Sequence, residues 1–163
     1  MAAMKFRHEL IYDASPAEVF AMLGDPVFRE AACSGPDVIS ADIAIEHAGS
    51  GFSLTIDRVQ RTDDLPAFAR TFAGDSTRAI QREEWADATS GTFRIEAPGK
   101  PSEVTGVITL EPTGSVTRWT IELDLKIKVP LIGGRLEKLL AEQVTAGIEV
   151  EQAAGIAYLK GHR

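Results

Sequence analysis

Two acids stand where the hydrophobic pattern of this sequence calls for apolar side chains. Glu151 falls in the middle of the apolar sector of the last predicted helix, between Gly147 and Gly155, with Gln143 near the same sector. Glu83 shares a predicted strand face with Ala79, Gln81 and Trp85, so an inward Trp85 carries Glu83 inward as well. The opposite face holds Arg78, Arg82 and Glu84 but also Ile80, which leaves the direction of that strand open. Burying a lone carboxylate is costly, so each acid must be paired, hydrated or protonated. Glu151 therefore has two readings: it lines a cavity, or it sits toward the helix end and reaches solvent or a buried basic partner. Arg58, on the face of Phe52, Leu54 and Ile56, is placed to neutralise one of the acids. His8 shares a face with Phe6, Leu10 and Tyr12. A lone histidine there is more often a satisfied core residue than a catalyst. Carboxylates in an apolar cavity have raised pKa values, which suits acid–base work by Glu83, Glu151 and His8.

Other chemistries lack their residues. The histidines are His8 in a strand, His47 by a turn and His162 in the tail, and no Gly-x-Ser-x-Gly elbow is present. No His-x-x-x-His or Cys-x-x-Cys spacing offers a metal site, and no cofactor is expected. Cys33 is the single cysteine, so no intrachain disulfide can form. With no histidine or acid beside it, Cys33 reads as a small buried apolar residue. Gly49-Ser50-Gly51 precedes a strand rather than a helix and reads as a plain turn, not a phosphate loop.

The elements that must position these groups follow from periodicity. Met4 to Tyr12 alternates as a strand. Ser15, Pro16 and Glu18 form a helix start with a capping box, and Gly24 can end that helix. Asp25 and Pro26 start a second short helix, which runs to about Cys33 and stops at Gly35-Pro36. Strands follow at Val38–His47, Phe52–Arg61, Thr77–Trp85, Thr92–Ala97 and Glu103–Leu110, with turns at 98–101 and 111–114. Between the second and third of these, Asp63 to Gly74 breaks the pattern. Leu65, Phe68 and Phe72 there fall on one face of a short amphipathic helix, which either packs on the core or covers a cavity mouth.

The strongest strand is the last. Trp119, Ile121, Leu123, Leu125, Ile127 and Val129 alternate without error against Arg118, Thr120, Glu122, Asp124, Lys126 and Lys128. One side is dry and the other wet. Pro130 ends it, and Leu131 to Lys160 turns helical, with Leu136, Leu139, Leu140, Val144, Ile148 and Tyr158 in one broad sector. Gly147 and Gly155 remove side-chain volume from that sector. Either the sheet approaches closely at those points, or space is left for something else.

The bulk numbers bound the partners. A chain of 163 residues with 44% hydrophobic and 25% charged residues suits one folded domain. A formal charge of −7 with no basic stripe argues against nucleic acid. It also disfavours anionic membranes, save through a local patch. No apolar run approaches the ~18 residues of a membrane span, so stable membrane insertion is not expected. Met1 to Lys5 contains no signal-peptide core, and a cytoplasmic location is expected. The oligomeric state stays open between monomer and homodimer.

The order strand, two short helices, six strands, long helix resembles the START-like, or polyketide cyclase/SRPBCC, superfamily over nearly the whole length. More narrowly, Leu65-Pro66-Ala67-Phe68, Glu83-Glu84-Trp85 and above all Val129-Pro130-Leu131-Ile132-Gly133-Gly134-Arg135-Leu136-Glu137 resemble an uncharacterised, mostly actinobacterial branch, domain of unknown function 2505. The resemblance implies an α+β helix-grip domain spanning residues 1–163. In it a seven-stranded curved antiparallel sheet surrounds a long C-terminal helix, and two short helices follow the first strand. It also implies a cavity for lipids, sterols, polyketides or other apolar molecules, and it implies no reaction.

The residues expected to bind such a ligand are His8, Arg58, Phe68, Phe72, Glu83, Trp85, Trp119, Leu140, Val144, Gly147 and Glu151. Three functions compete. One is a carrier or sensor for an apolar small molecule. The second is a cyclase- or dehydratase-type enzyme acting on a polyketide-like or aromatic substrate. The third is a protein-interaction or chaperone-like module, which would need a large exposed apolar patch.

Overall fold

Local signals set the first third of the chain. A computed structural model describes residues 3–161, so His162 lies outside the described residues. β1 (Met4–Tyr12) alternates exposed and covered side chains and ends with Leu10 and Tyr12 fully buried. At α1 (Pro16–Leu23) the capping box is complete. Glu18 N–H donates to Ser15 Oγ and Ser15 N–H donates to Glu18 Oε1, both at 3.2 Å. Asp25 then caps α2 (Pro26–Ala32) by accepting from Val27 N–H at 2.9 Å.

Six further strands complete one antiparallel sheet: β2 (Val38–Ala48), β3 (Gly51–Arg61), β4 (Ser76–Trp85), β5 (Ser90–Glu96), β6 (Ser102–Thr113) and β7 (Val116–Ile127). The order across it is β1-β7-β6-β5-β4-β3-β2. β1 and β2 are therefore on opposite edges, and α1 and α2 carry the chain from one edge to the other across the end of the sheet. α3 (Ala67–Ala73) interrupts β3 and β4, and α4 (Gly133–Gly161) packs along the concave face against β1, β7 and the two short helices. The core lies between that face and α4. Trp119, Ile121, Leu123 and Leu125 from β7 are each at most 3% exposed.

Register settles the direction of β4. Trp85 pairs with Phe52, Glu83 with Leu54, Gln81 with Ile56 and Ala79 with Arg58. Phe52, Leu54 and Ile56 are buried, so Glu83 and Gln81 point inward.

Two boundaries differ from the sequence pattern. β7 stops at Ile127 rather than Val129, because Lys128 N–H donates to Pro101 O across the turn and Val129 N–H folds back to Ile127 O. α4 begins at Gly133 rather than Leu131. Leu131 has φ 70° with its side chain fully exposed, so it belongs to the turn. β6 also continues through Pro112 to Thr113, and the turn falls at Gly114, φ 64°. The Val129–Glu137 motif is a structural joint. Glu137, 6% exposed, accepts from Ile127 N–H at 2.9 Å and ties the N-terminal part of α4 to the end of β7.

Candidate functional site

The two helix glycines separate into two roles. A Cβ on Gly155 would lie 2.8 Å from Tyr12 Cε1 and 3.0 Å from its hydroxyl, so Gly155 permits close approach of β1. A Cβ on Gly147 would meet nothing within 4 Å. Gly147 faces a cavity of about 320 Å³ between the sheet and α4.

Trp119 and Ile121 from β7, Ile56 from β3, Phe93 from β5, and Leu140 and Val144 from α4 form much of its apolar wall. One end is bounded by α3, the β5–β6 turn and the β7–α4 joint, which contribute Leu65, Ala69, Phe72, Pro101 and Val129. α3 is held there from both sides. Lys100 Nζ donates to Phe72 O at 2.8 Å, and the Arg135 guanidinium lies 4.1 Å from the Phe68 ring centre. Thr62 closes the base of the segment through its hydroxyl to Gly74 O and its N–H to Asp75 O.

The polar groups cluster toward the other end. Arg29 projects from α2 and is 1% exposed. Its Nε donates to Leu23 O at 2.8 Å. Its Nη2 donates to Glu83 Oε1 at 3.2 Å, and its Nη1 to Glu83 Oε2 at 3.4 Å and Glu151 Oε1 at 3.1 Å. Trp85 Nε1 and Gln81 Nε2 also donate to Glu83, at 3.0 and 2.7 Å. All of Glu83's usable acceptor directions are thus committed, and it anchors Arg29 rather than acting as a free base. Glu151 gives only Oε1 to Arg29. Burial pushes its pKa up from 4.5 to about 7, Arg29 and Arg58 pull it down, and Glu83 pushes it further up. A carboxyl poised there can give or take a proton at neutral pH. Both readings of Glu151 meet in one geometry: it has a buried basic partner and it lines the cavity.

Arg58, Phe72, Glu83, Trp119, Leu140, Val144, Gly147 and Glu151 all line the cavity. Three expected residues do not. His8 lies on the inner face of β1 but stacks with Phe6 at 6.5 Å, away from the cavity. Phe68 is turned toward Arg135, because the segment 65–72 presents Leu65, Ala69 and Phe72 to the cavity rather than Leu65, Phe68 and Phe72. Trp85 packs against Phe52 and Phe20, at 5.9 Å each, beyond the end of the cavity. It touches the site only through its hydrogen bond to Glu83.

Arg58 is also not the ion partner of either acid. Arg29 is, and the sequence reading missed it. The available signal was a charge imbalance: two inward acids with one inward cation require a second cation. Cys33 is buried at the cavity wall, and burial pushes its thiol pKa up, against nucleophilic use. Among the described residues no His, Cys, Asp or Glu group is placed to hold a metal ion, and no helix is long and apolar enough to cross a membrane.

Tyr12 gives a local test of this packing. Its hydroxyl is buried and has no hydrogen-bond partner among the described residues, and burial pushes its pKa up. Tyr12→Phe removes an unsatisfied group without changing ring packing. Urea denaturation is expected to show a gain of about 1 kcal/mol. A loss of that size would mean that the hydroxyl is satisfied in solution.

The profile of the family described as "Protein of unknown function (DUF2505)" matches residues 7–159. Uncharacterized protein Rv0481c of Mycobacterium tuberculosis is 23% identical over 98 residues, 56% of this chain and 56% of that protein. The chain thus spans about half the length of the curated relatives it matches. Among solved structures, the di-domain ARO/CYC StfQ from the steffimycin biosynthetic pathway superposes with a TM-score of 0.67 at 15% identity. That match covers 99% of this chain and 52% of StfQ. A START superfamily protein from Mycobacterium smegmatis gives 0.58 at 14% identity, covering 98% and 99%. At these identities the likeness concerns the fold: a START-like curved sheet gripping a long C-terminal helix.

Proposed function

We infer that this chain, which belongs to the DUF2505 family, binds an apolar small molecule in the cavity between its sheet and α4, as a carrier or sensor. Lipids, sterols and polyketide-like molecules are the candidate class. The observation that carries this reading is Gly147. α4 packs closely against Tyr12 at Gly155 but leaves open space at Gly147, in front of a largely apolar wall and a small set of fixed polar groups. A cavity of about 320 Å³ falls in the range of small-molecule sites, and such sites combine apolar walls with few polar groups. α3 serves as the closing wall, and its two ties at Lys100 and Arg135 are ones that can open without unfolding the sheet.

Native mass spectrometry of the purified protein, followed by solvent extraction, tests the reading directly. A retained apolar molecule, or saturable uptake of the neutral probe N-phenyl-1-naphthylamine, is expected. Gly147→Leu should narrow the cavity and lower probe affinity at least tenfold, with no loss of thermal stability because leucine is the better helix former. Equal probe binding by the two proteins would overturn the assignment of the cavity.

One observation favours a second reading. Glu151 holds a proton near neutrality and its Oε2 has no hydrogen-bond partner among the described residues, which suits a general acid in a cyclase- or dehydratase-type step. Glu83 is saturated and His8 is elsewhere, so Glu151 would act alone. Carriage returns the bound molecule unchanged from extraction, whereas catalysis changes its mass. The interaction-module reading has less support. Exposed large apolar side chains are spread over β1, α2, β2, α3, β6, α4 and the β7–α4 turn.

A further inference from the structure

The cavity wall carries three guanidiniums, one ammonium and two carboxyls. Arg78 is paired with Asp57 and Lys100 is tied to Phe72 O, and the remaining four, Arg29, Arg58, Glu83 and Glu151, are not evenly matched. Glu83 accepts four hydrogen bonds, two of them from Arg29. Glu151 also gives its one bonded oxygen to Arg29. Both acids therefore answer the same cation. Arg58, the second cation, forms no ion pair among the described residues. Among the described residues its side chain makes one hydrogen bond, from Nη2 to Gln81 Oε1 at 2.9 Å, and its buried Nε has no partner. Gln81 cannot turn to help further, because its amide nitrogen is held by Glu83 at 2.7 Å. The amide orientation is fixed from both sides, with oxygen toward the guanidinium and nitrogen toward the carboxylate.

A guanidinium in a partly dry pocket with an unanswered N–H is costly to hold and strongly favours an oxygen anion. The carboxyl close enough to act on it is Glu151, whose bonded oxygen is already given to Arg29. Cys33, close enough to feel the charges of Arg58 and Arg29, has its thiol pKa pushed up by burial. Glu151 is partly protonated at neutral pH, which leaves this end of the cavity with a positive surplus. The wall also presents Ile56, Phe93, Trp119 and Val144 to the apolar body of a ligand.

We propose that the ligand is an apolar acid, a carboxylate or comparably acidic oxygen on an aliphatic or aromatic body, and that Arg58 holds its oxyanion. This rests on the cavity being a ligand site and adds the ligand's chemical class. The acid end sits between β3 and α4, beside Gln81, and the apolar body runs toward α3.

The test compares matched acids and alcohols. Delipidated protein is titrated calorimetrically at pH 6 with naphthalene-2-carboxylate and naphthalene-2-methanol, and with decanoate and decan-1-ol. Wild-type protein is expected to prefer the acid of at least one pair by tenfold or more. Arg58→Met should abolish that preference while still binding the alcohol, which also shows that the variant is folded. Arg58→Lys, which keeps the charge and loses the fork, should retain part of it. If Arg58→Met does not fold, the wild-type preference and its reduction in Arg58→Lys carry the decision. Equal binding of acid and alcohol by the wild type, or a preference that survives Arg58→Met, overturns the proposal and leaves the apolar cavity standing. Failure of all four compounds to bind overturns both.

Discussion

Replacing Arg29 with methionine is expected to cost about 3–5 kcal/mol of unfolding free energy. The side chain is 1% exposed and joins three elements that share no local sequence. It donates to Glu83 of β4 and Glu151 of α4, and it reaches back to donate to the last carbonyl of α1 at Leu23. Methionine fills much of the same volume, so the loss is electrostatic rather than a cavity. Glu83, 2% exposed, would keep its bonds from Trp85 and Gln81 but lose the Arg29 counter-charge. Leu23 O would lose its side-chain donor. A buried ion pair is seldom worth much against a well-packed apolar substitute, yet removing one member alone is severe. That asymmetry makes the prediction specific. Adding Glu83→Gln to Arg29→Met should recover at least 1.5 kcal/mol, so the two changes are strongly non-additive. Urea denaturation of the wild type, both single variants and the double variant at pH 7.5 measures the cycle. A cost under 1 kcal/mol for Arg29→Met, or simple additivity, would show that the acids are solvated or protonated without the guanidinium.

This cluster also marks the limit of what the sequence discloses. β7 is legible because Trp119 to Ile127 alternates without error, and the capping box at Ser15 declares α1 because its partners are three residues apart. Arg29 has no such signal. α2 is seven residues long, too short for periodicity to separate a buried arginine from its exposed neighbour Glu30. Its partners lie 54 and 122 residues away. Phe68 shows a smaller failure of the same kind. One residue is about 100° on a helix, so a short amphipathic segment leaves undecided whether Phe68 or Ala69 faces the cavity. The tie to Arg135, 67 positions along the chain by numbering, decides it. Gly147 and Gly155 look alike in sequence because both sit on the apolar sector, eight residues apart. They differ because Tyr12 stands opposite one and nothing stands opposite the other. The architecture is readable from local pattern, whereas missing volume at the two glycines leaves cavity and close approach undecided. The pairing inside the cavity depends on long-range register.

Glu151→Gln should stabilise the protein in a pH-dependent way, with the opposite sign from Arg29→Met. The folded protein holds the Glu151 proton up to about pH 7, whereas the ordinary value is 4.5. Below pH 4.5 both folded and unfolded chains are protonated there, and the residue makes stability independent of pH. Between 4.5 and 7 the unfolded chain releases its proton and the folded chain keeps it, so stability falls as pH rises by up to about 1.4 kcal/mol per unit. Above about 7 both forms are ionised and the loss levels off. The groups acting on the carboxyl are Arg29 from α2, Arg58 from β3 and Glu83 from β4, and burial outweighs the two arginines. The side chain is 17% exposed, and that access to solvent trims the full penalty to about 2 kcal/mol. Glutamine never ionises and can still accept the Arg29 hydrogen bond through its amide oxygen. The variant is therefore expected to match the wild type near pH 4.5 and to exceed it by about 2 kcal/mol at pH 8. Arg29 loses little, because Glu83 still grips it with both oxygens. Denaturant midpoints measured across that range decide the matter. A variant less stable than the wild type at pH 8 would mean that folding uses an ionised Glu151 as a second counter-charge for Arg29. The positive surplus beside Arg58 would then be smaller than the geometry indicates.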